Sequence, residues 1–335
     1  MNMELSFDLT NAPPSPAPDS VDGAPAATAT SAVRPRIWTV FVTWFVAAFL
    51  GQIAVVAMFI VAGAACGIVL GAQGVEPASI SSRVTAWVTQ PIPALFLSLV
   101  PFQLTMIGVT FLAARQSQTP LRERLGLLPP QGRGWSGFTL AGLAAGTVSF
   151  ALVISIGFSL IFGFPGGNQP VSTISDGSWL SLTLLGLVLS LLPAVVEEIV
   201  FRGYIQRRLI QRWTPATAIA VSTALFAILH ADSLPHILAV IPLGVVTGWL
   251  AWRTDSVTPG MVVHAIHNAG AVAFAAVAKV LVPELGNEGA GWVMLTLIVV
   301  LGMTSVPALL ALLSQSNRSS GAIPTSPLSQ SALAA

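Results

Sequence analysis

Charge is what this chain has least of. Only 8% of its 335 residues are Asp, Glu, Lys or Arg, while 54% are hydrophobic and the mean hydropathy is +0.81. Soluble domains carry roughly a quarter of their residues as charges, so this composition excludes a soluble globular fold and points to a polytopic membrane protein. Cysteine is nearly missing as well: Cys66 stands alone in an apolar run, which excludes an internal disulfide and a cysteine metal site. A formal charge of +1 offers no basic footprint, so no nucleic-acid partner is expected. No internal repeat stands out, which removes support for a repeat-built transporter. Residues 1–8 are acidic and lack a basic n-region, so no cleavable signal peptide is expected and insertion should begin with the first apolar helix.

What is present is a series of long apolar runs between two polar ends. Residues 1–33 and 314–335, rich in Pro, Ala and Ser, cannot bury enough apolar surface to offset their ordering entropy and are expected to be disordered tails. Between them, 34–313 reads as one membrane-embedded, all-α helix bundle. A spanning helix needs about 20 mainly apolar residues, and about eight candidates satisfy this: 38–71, 91–114, 136–163, 179–206, 215–232, 235–252, 259–282 and 291–313. Arginines collect in every second connection: Arg34 and Arg36, then Arg115, Arg122, Arg124 and Arg133, then Arg207, Arg208 and Arg212, then Arg253, then Arg318. By the positive-inside rule both termini are cytoplasmic, and the chain is an integral protein of the cell membrane. Two small-x-x-x-small pairs, Gly142 with Gly146 and Gly244 with Gly248, read as ordinary close helix packing.

Against this background three ionisable side chains, Glu197, Glu198 and Arg202, fall within six residues of apolar sequence. Each costs at least about 2.5 kcal/mol at the bilayer centre, so such groups are rare and usually functional. Four-residue spacing puts Glu198 and Arg202 on one helix face, where they can pair. Glu197 points about 100° away and is the carboxylate left to react. Pro193 cannot donate the backbone bond to the carbonyl of Leu189 and is expected to bend the helix just before the glutamates.

All four histidines follow, between residues 230 and 267. His230 ends Phe226-Ala-Ile-Leu-His230, and His264 and Asn268 share a face of the seventh helix. His236 and His267 read as helix-to-helix hydrogen bonders, whereas Glu197, Glu198, His230, His264 and Asn268 on three helices form a less ordinary set. Glu197 and His230 lie about 22 to 25 Å along their helices from the intervening turn, level with each other in an antiparallel hairpin. His264 is shallower, at about 8 Å. The levels agree if the arginine-rich end of the fourth helix and the start of the fifth project a couple of turns out of the membrane, leaving 231–235 as an irregular climb within protein.

Glu-Glu-x-x-x-Arg at Glu197, Glu198 and Arg202, Phe-x-x-x-His at Phe226 and His230, and His-x-x-x-Asn at His264 and Asn268 occur in that order. Together they resemble the motif series of the CPBP intramembrane endopeptidases, which group type II CAAX prenyl proteases with abortive-infection and bacteriocin-immunity homologues. The resemblance covers about residues 120–275 and includes Arg-Glu-Arg-Leu-Gly-Leu at 122–127. It implies that Glu197 acts as general base on a water that His230 helps to hold. Glu198 and Arg202 would brace the site, and His264 with Asn268 would stabilise the oxyanion. The implied reaction is hydrolysis of a peptide bond in a membrane-associated peptide or protein, with a CAAX-like or lipidated C-terminus suited to a cytoplasm-facing site.

No cofactor is certain. Glu197, His230 and His264 could ligate zinc with water in the fourth position, yet the His-Glu-x-x-His pattern of helical zinc proteases is absent. The metal-free, glutamate-dependent reading is preferred, with zinc as its alternative. Two other classes compete: a non-catalytic membrane scaffold or regulator using the same cluster to fix its bundle, and a proton-coupled transporter, which explains buried Glu and His but not their motif order.

Overall fold

The structure is a computed structural model that describes residues 36–116, 119–131, 136–162 and 179–318. The expected N-terminal tail and residues 319–335 of the expected C-terminal tail lie outside these. All regular structure among the described residues is helical: α1 (Trp38–Ala72), α2 (Pro77–Val88), α3 (Pro91–Ala114), α4 (Leu121–Arg124), α5 (Gly137–Phe162), α6 (Trp179–Glu197), α7 (Pro215–Ile228), α8 (Leu234–Thr254) and α9 (Thr258–Arg318). The helix α9 consists of two arms joined at Gly286, whose φ of 66° and ψ of 175° are non-helical.

Among the described residues, six helical stretches are long and apolar enough to cross a membrane: α1, Ile92–Ala114 of α3, Gly137–Phe158 of α5, α8, and the two arms Thr258–Gly286 and Glu288–Ala308 of α9. The chain is an integral membrane protein with an all-α bundle. The other two of the eight expected segments are α6 and α7. At 14 residues α7 is about 21 Å long, short of the roughly 30 Å hydrocarbon core. It ends at Ile228, and residues 229–232 turn before Ser233 caps α8 through the backbone N–H of His236. The irregular climb therefore starts two residues earlier than expected and includes His230. The connection after α1 also differs, because α2 is a helix there, started by Pro77 after a turn at Gly74 with φ of 75°.

Pro193 does not break α6. The departure from α geometry comes after it, where the helix widens into nine π-helical residues, Glu198–Gln206, before a last α-turn, Arg207–Ile210. Such stretches are rare and concentrate at functional sites. Every residue of this one is buried. It is sequestered because α8 approaches through Gly244 and Gly248, where added Cβ atoms would stand 2.6 Å from Thr223 Cγ2 and 2.7 Å from Gln206 Oε1. Gly142 and Gly146 likewise admit Ala308 and Ser305 of the second α9 arm against α5.

The core gathers around the π-helical stretch, with Leu125, Phe201, Tyr204, Ile205, Leu209, Phe226, Leu243 and Leu250 all buried. Residues 122–127 clip onto its arginine-bearing end. The glycine of Leu-Gly-Leu, Gly126, sits at φ 64°, a conformation that other residues rarely adopt, and its carbonyl accepts from Val257 N–H. Arg207 closes the same end, with Nη2 2.8 Å from Asp255 Oδ1 and Nη1 donating to the Asp255 carbonyl. Arg207 lies ten residues beyond Glu197, and Asp255 nine residues before His264, so this ion pair brings Glu197 level with His264.

Gly203 sets how close this clip can come, since an added Cβ would stand 2.6 Å from the Leu125 carbonyl oxygen, a backbone atom that cannot swing aside. Gly203→Ala is expected to destabilise the protein by about 1–3 kcal/mol, read as a lower thermal midpoint in detergent. Gly108→Ala, with nothing within 4 Å of the new methyl, should leave the midpoint unchanged or raise it. Equal midpoints for the two variants would show that the clip does not pack on Gly203.

Candidate active site

Glu197, Glu198 and Arg202, at the junction of α6 with the π-helical stretch, each meet a group from another helix: α3, α9 and α8 in turn. Arg202 is wholly buried; its Nε lies 3.4 Å from Glu198 Oε2, and its Nη2 donates to the Gly244 carbonyl of α8 at 3.0 Å. Its guanidinium lies over the Phe226 ring at 4.7 Å and near the Phe201 ring at 5.8 Å, aromatic faces that stabilise a desolvated cation. One turn on, Gln206 Nε2 donates to the Gly248 carbonyl at 2.7 Å. The four-residue period of Arg202 and Gln206 thus matches that of Gly244 and Gly248, so the glycine pair serves the charge cluster as well as packing.

Glu198 is also wholly buried, and each of its oxygens has a neighbour of opposite or complementary character. Oε2 faces Arg202, and Oε1 lies 2.9 Å from His264 Nδ1. The first turn of α9 rests on the same carboxylate: a Cβ on Gly260 would stand 2.9 Å from Glu198 Oε2. A glycine there lets the amide-rich, partially positive start of a helix approach the anion. Because the carboxylate can only accept, Nδ1 of His264 carries the proton, and Nε2 is turned the other way.

That Nε2 lies 3.7 Å from Oε2 of Glu197. The other glutamate differs from its neighbour in exposure and in partners, although Oε2 of each is without a hydrogen bond. Its side chain is 12% exposed against none for Glu198, its Oε1 accepts from Gln103 Nε2 of α3 at 2.7 Å, and its Oε2 makes no hydrogen bond. His230 stands beyond Phe226, whose ring is 4.7 Å from the His230 ring, 5.9 Å from the His264 ring and 5.3 Å from Phe201. The carbonyl of Phe226 accepts from His230 Nδ1 at 3.0 Å, which leaves Nε2 as the acceptor of the neutral ring.

Glu197, Glu198, Arg202 and His264 are therefore in mutual reach, with His230 alongside through Phe226. Asn268 is engaged elsewhere: one amide N–H donates to the Leu189 carbonyl at 3.1 Å, the group that Pro193 leaves without its helical partner. His267 makes the helix-to-helix bond expected of it, Nδ1 to Thr147 Oγ1 at 2.9 Å. His236 instead bonds within its own turn to Asp232, and its ring stands 4.9 Å from that of His230.

Three contributors went unread in the sequence. Gln103 and Gly260 belong to no motif, and nothing in the spacing announces π geometry. Gln103 alone carried a usable signal, as the one amide in the apolar α3. As for zinc, Glu197, His230 and His264 do not converge as a ligand set: among the described residues no three His, Cys, Asp or Glu could hold a metal ion.

Because Glu198 and Arg202 neutralise each other in a fully buried site, Arg202→Leu should cost about 3–5 kcal/mol by leaving a carboxylate uncompensated. The double variant Glu198→Leu/Arg202→Leu should recover much of that loss. Urea titration of the detergent-solubilised variants checks this, and additive losses would show that the two charges are not coupled.

No curated protein and no solved structure matches the chain. A family model described as Rce1-like, type II CAAX prenyl endopeptidase Rce1-like, does match residues 177–270. That stretch holds all six residues expected at the site, and the match agrees with the CPBP intramembrane endopeptidase family that the motifs resemble.

Proposed function

We propose that this chain is an intramembrane endopeptidase in which Glu197 is the general base. The observation that carries the reading is the asymmetry of the two glutamates. Glu198 is wholly buried, with the Arg202 guanidinium against one oxygen and His264 Nδ1 2.9 Å from the other, while Glu197 is 12% exposed and has only a histidine nitrogen, 3.7 Å away, beside its Oε2. Two polar atoms at that separation can share a single water at about 2.8 Å from each. Glu197 takes a proton from this water as its oxygen attacks the scissile carbonyl, and later returns that proton to the leaving amine. His230 Nε2 accepts a hydrogen bond from the water. His264, in its imidazolium form, and the second N–H of Asn268 donate to the oxyanion, donors whose removal in other enzymes costs about 3 kcal/mol of barrier.

Glutamate-dependent hydrolysis is favoured over a zinc mechanism because, among the described residues, no three His, Cys, Asp or Glu side chains are grouped as a metal site. The scaffold reading accounts for Glu198 and Arg202 equally well, but it gives no reason to leave a second carboxylate, Glu197, partly exposed beside a histidine in an apolar bundle. The substrate is a membrane-associated peptide or protein, CAAX-like or otherwise lipidated at its C-terminus. Cleavage would take place on the arginine-bearing, cytoplasmic side, where both termini also lie.

Two measurements test this. In membranes carrying equal amounts of wild type or Glu197→Gln, a survey of protein termini should find peptides made only by wild type. With a substrate so identified, turnover by the variant should fall about 10²- to 10⁴-fold at an unaltered thermal midpoint. No difference between the two surveys, with Glu197→Gln still rescuing a deletion, would return the protein to the scaffold class. Separately, cleavage should survive exhaustive chelation with phenanthroline, whereas loss restored by added zinc would refute the metal-free mechanism.

A further inference from the structure

Gln103 lies outside the matched stretch, in a helix that carries no Asp, Glu, Lys, Arg or His from Pro91 to Ala114. It is 2% exposed. A buried amide in apolar surroundings is costly unless it is hydrogen-bonded, and the only bond this side chain makes among the described residues is to Glu197 Oε1, at 2.7 Å. A carboxylate has no proton to give, so the amide nitrogen must be the end that faces it. The carbonyl end, Oε1, is buried without a partner, so the amide is not there to satisfy itself. Its placement is explained by the carboxylate it meets.

We propose that Gln103 is a positioning residue of the hydrolytic site. Its N–H pins Oε1 of Glu197, and so turns Oε2 toward His264 and the attacking water. The role rests on the peptidase reading above and adds α3 to the helices that build the site. Without the amide, the carboxylate is free to rotate about its last torsion, a broad one in glutamate, and to present either oxygen. Orientation is then lost from the reacting pair, while the surfaces that bind substrate are untouched.

The test uses the full chain in proteoliposomes and an internally quenched peptide that ends in a farnesylated cysteine followed by three aliphatic residues. Gln103→Leu, close to isosteric and without a donor, should lower kcat about 10- to 100-fold with KM within about twofold of wild type. Gln103→Glu, which sets a second carboxyl against Glu197, should do at least as much. Thr110→Val removes another buried polar group of α3 and should change neither parameter. Infrared difference spectra supply a readout independent of turnover: the carboxylate stretch of Glu197, assigned by its loss in Glu197→Gln, should move in Gln103→Leu at constant pH. An unmoved band overturns the proposal. So does a wild-type kcat in Gln103→Leu, or a KM that rises in step with the fall in kcat. Should wild type leave the peptide intact, the peptidase reading falls and this role falls with it, whereas cleavage by wild type that persists in Gln103→Leu overturns the positioning role alone.

Discussion

A guanidinium with no solvent exposure governs the arrangement of this bundle. A cation cannot be left bare in a low-dielectric interior, so Arg202 imposes requirements on each helix it meets. It needs an anion, and Glu198 supplies one four residues earlier. It needs an acceptor on α8, and the Gly244 carbonyl accepts from its Nη2, while the bare Cα of Gly244 lets α8 close on Thr223 of α7. It needs a polarisable face, and α7 presents Phe226. Those demands bring α6, α7 and α8 together at one level. Glu198 then extends the network to α9 through His264, which stands within reach of the other glutamate.

The two adjacent carboxylates acquire different characters from this arrangement. Glu198 has Arg202 on one oxygen and His264 on the other, so both of its oxygens are committed to neighbouring side chains. Glu197, about 100° around the helix, meets only the neutral amide of Gln103 on one oxygen. Separation of roles by environment, with one carboxylate bracing and one available, is how neighbouring acids of the same chemistry come to do different work. The packing supports that separation, since Gly260 gives Glu198 room at the start of α9 and Gly203 lets residues 122–127 close over the far end of the π-helical stretch.

Much of this was legible in the residues themselves. Membrane character follows from composition, and the pairing of Glu198 with Arg202 follows from their spacing, which π geometry leaves intact. Counting rises along the helices leaves Glu197 and His264 at different depths, whereas the structure sets Glu197 Oε2 3.7 Å from His264 Nε2, with Arg207 paired to Asp255 at the same end of the two helices. What stayed hidden was non-local or non-periodic. Gln103 is 94 residues from its partner, and no pattern within α3 says which helix will receive its amide. Gly260 reads as one glycine among 29 until a carboxylate is seen against it. The shortness of α7 is hidden because Leu229 and Ala231 extend its apolar pattern into residues that form turns.

Pro193 lies within α6, and it leaves one carbonyl of that helix without its usual donor. Leu189 cannot receive an N–H from Pro193, and an unpaired carbonyl in apolar surroundings is unfavourable. Asn268 satisfies it from α9, the same helix that presents His264. The order suits two antiparallel helices, since Leu189 precedes Glu197 along α6 and Asn268 follows His264 along α9. Two polar contacts, Asn268 to Leu189 and His264 to Glu198, therefore fix the register of α6 against α9 where neither an apolar stripe nor a glycine would resist sliding. A one-residue slip would break both contacts and carry Glu197 away from His264. On this reading the proline contributes to the site by creating the acceptor that holds the glutamate helix in place.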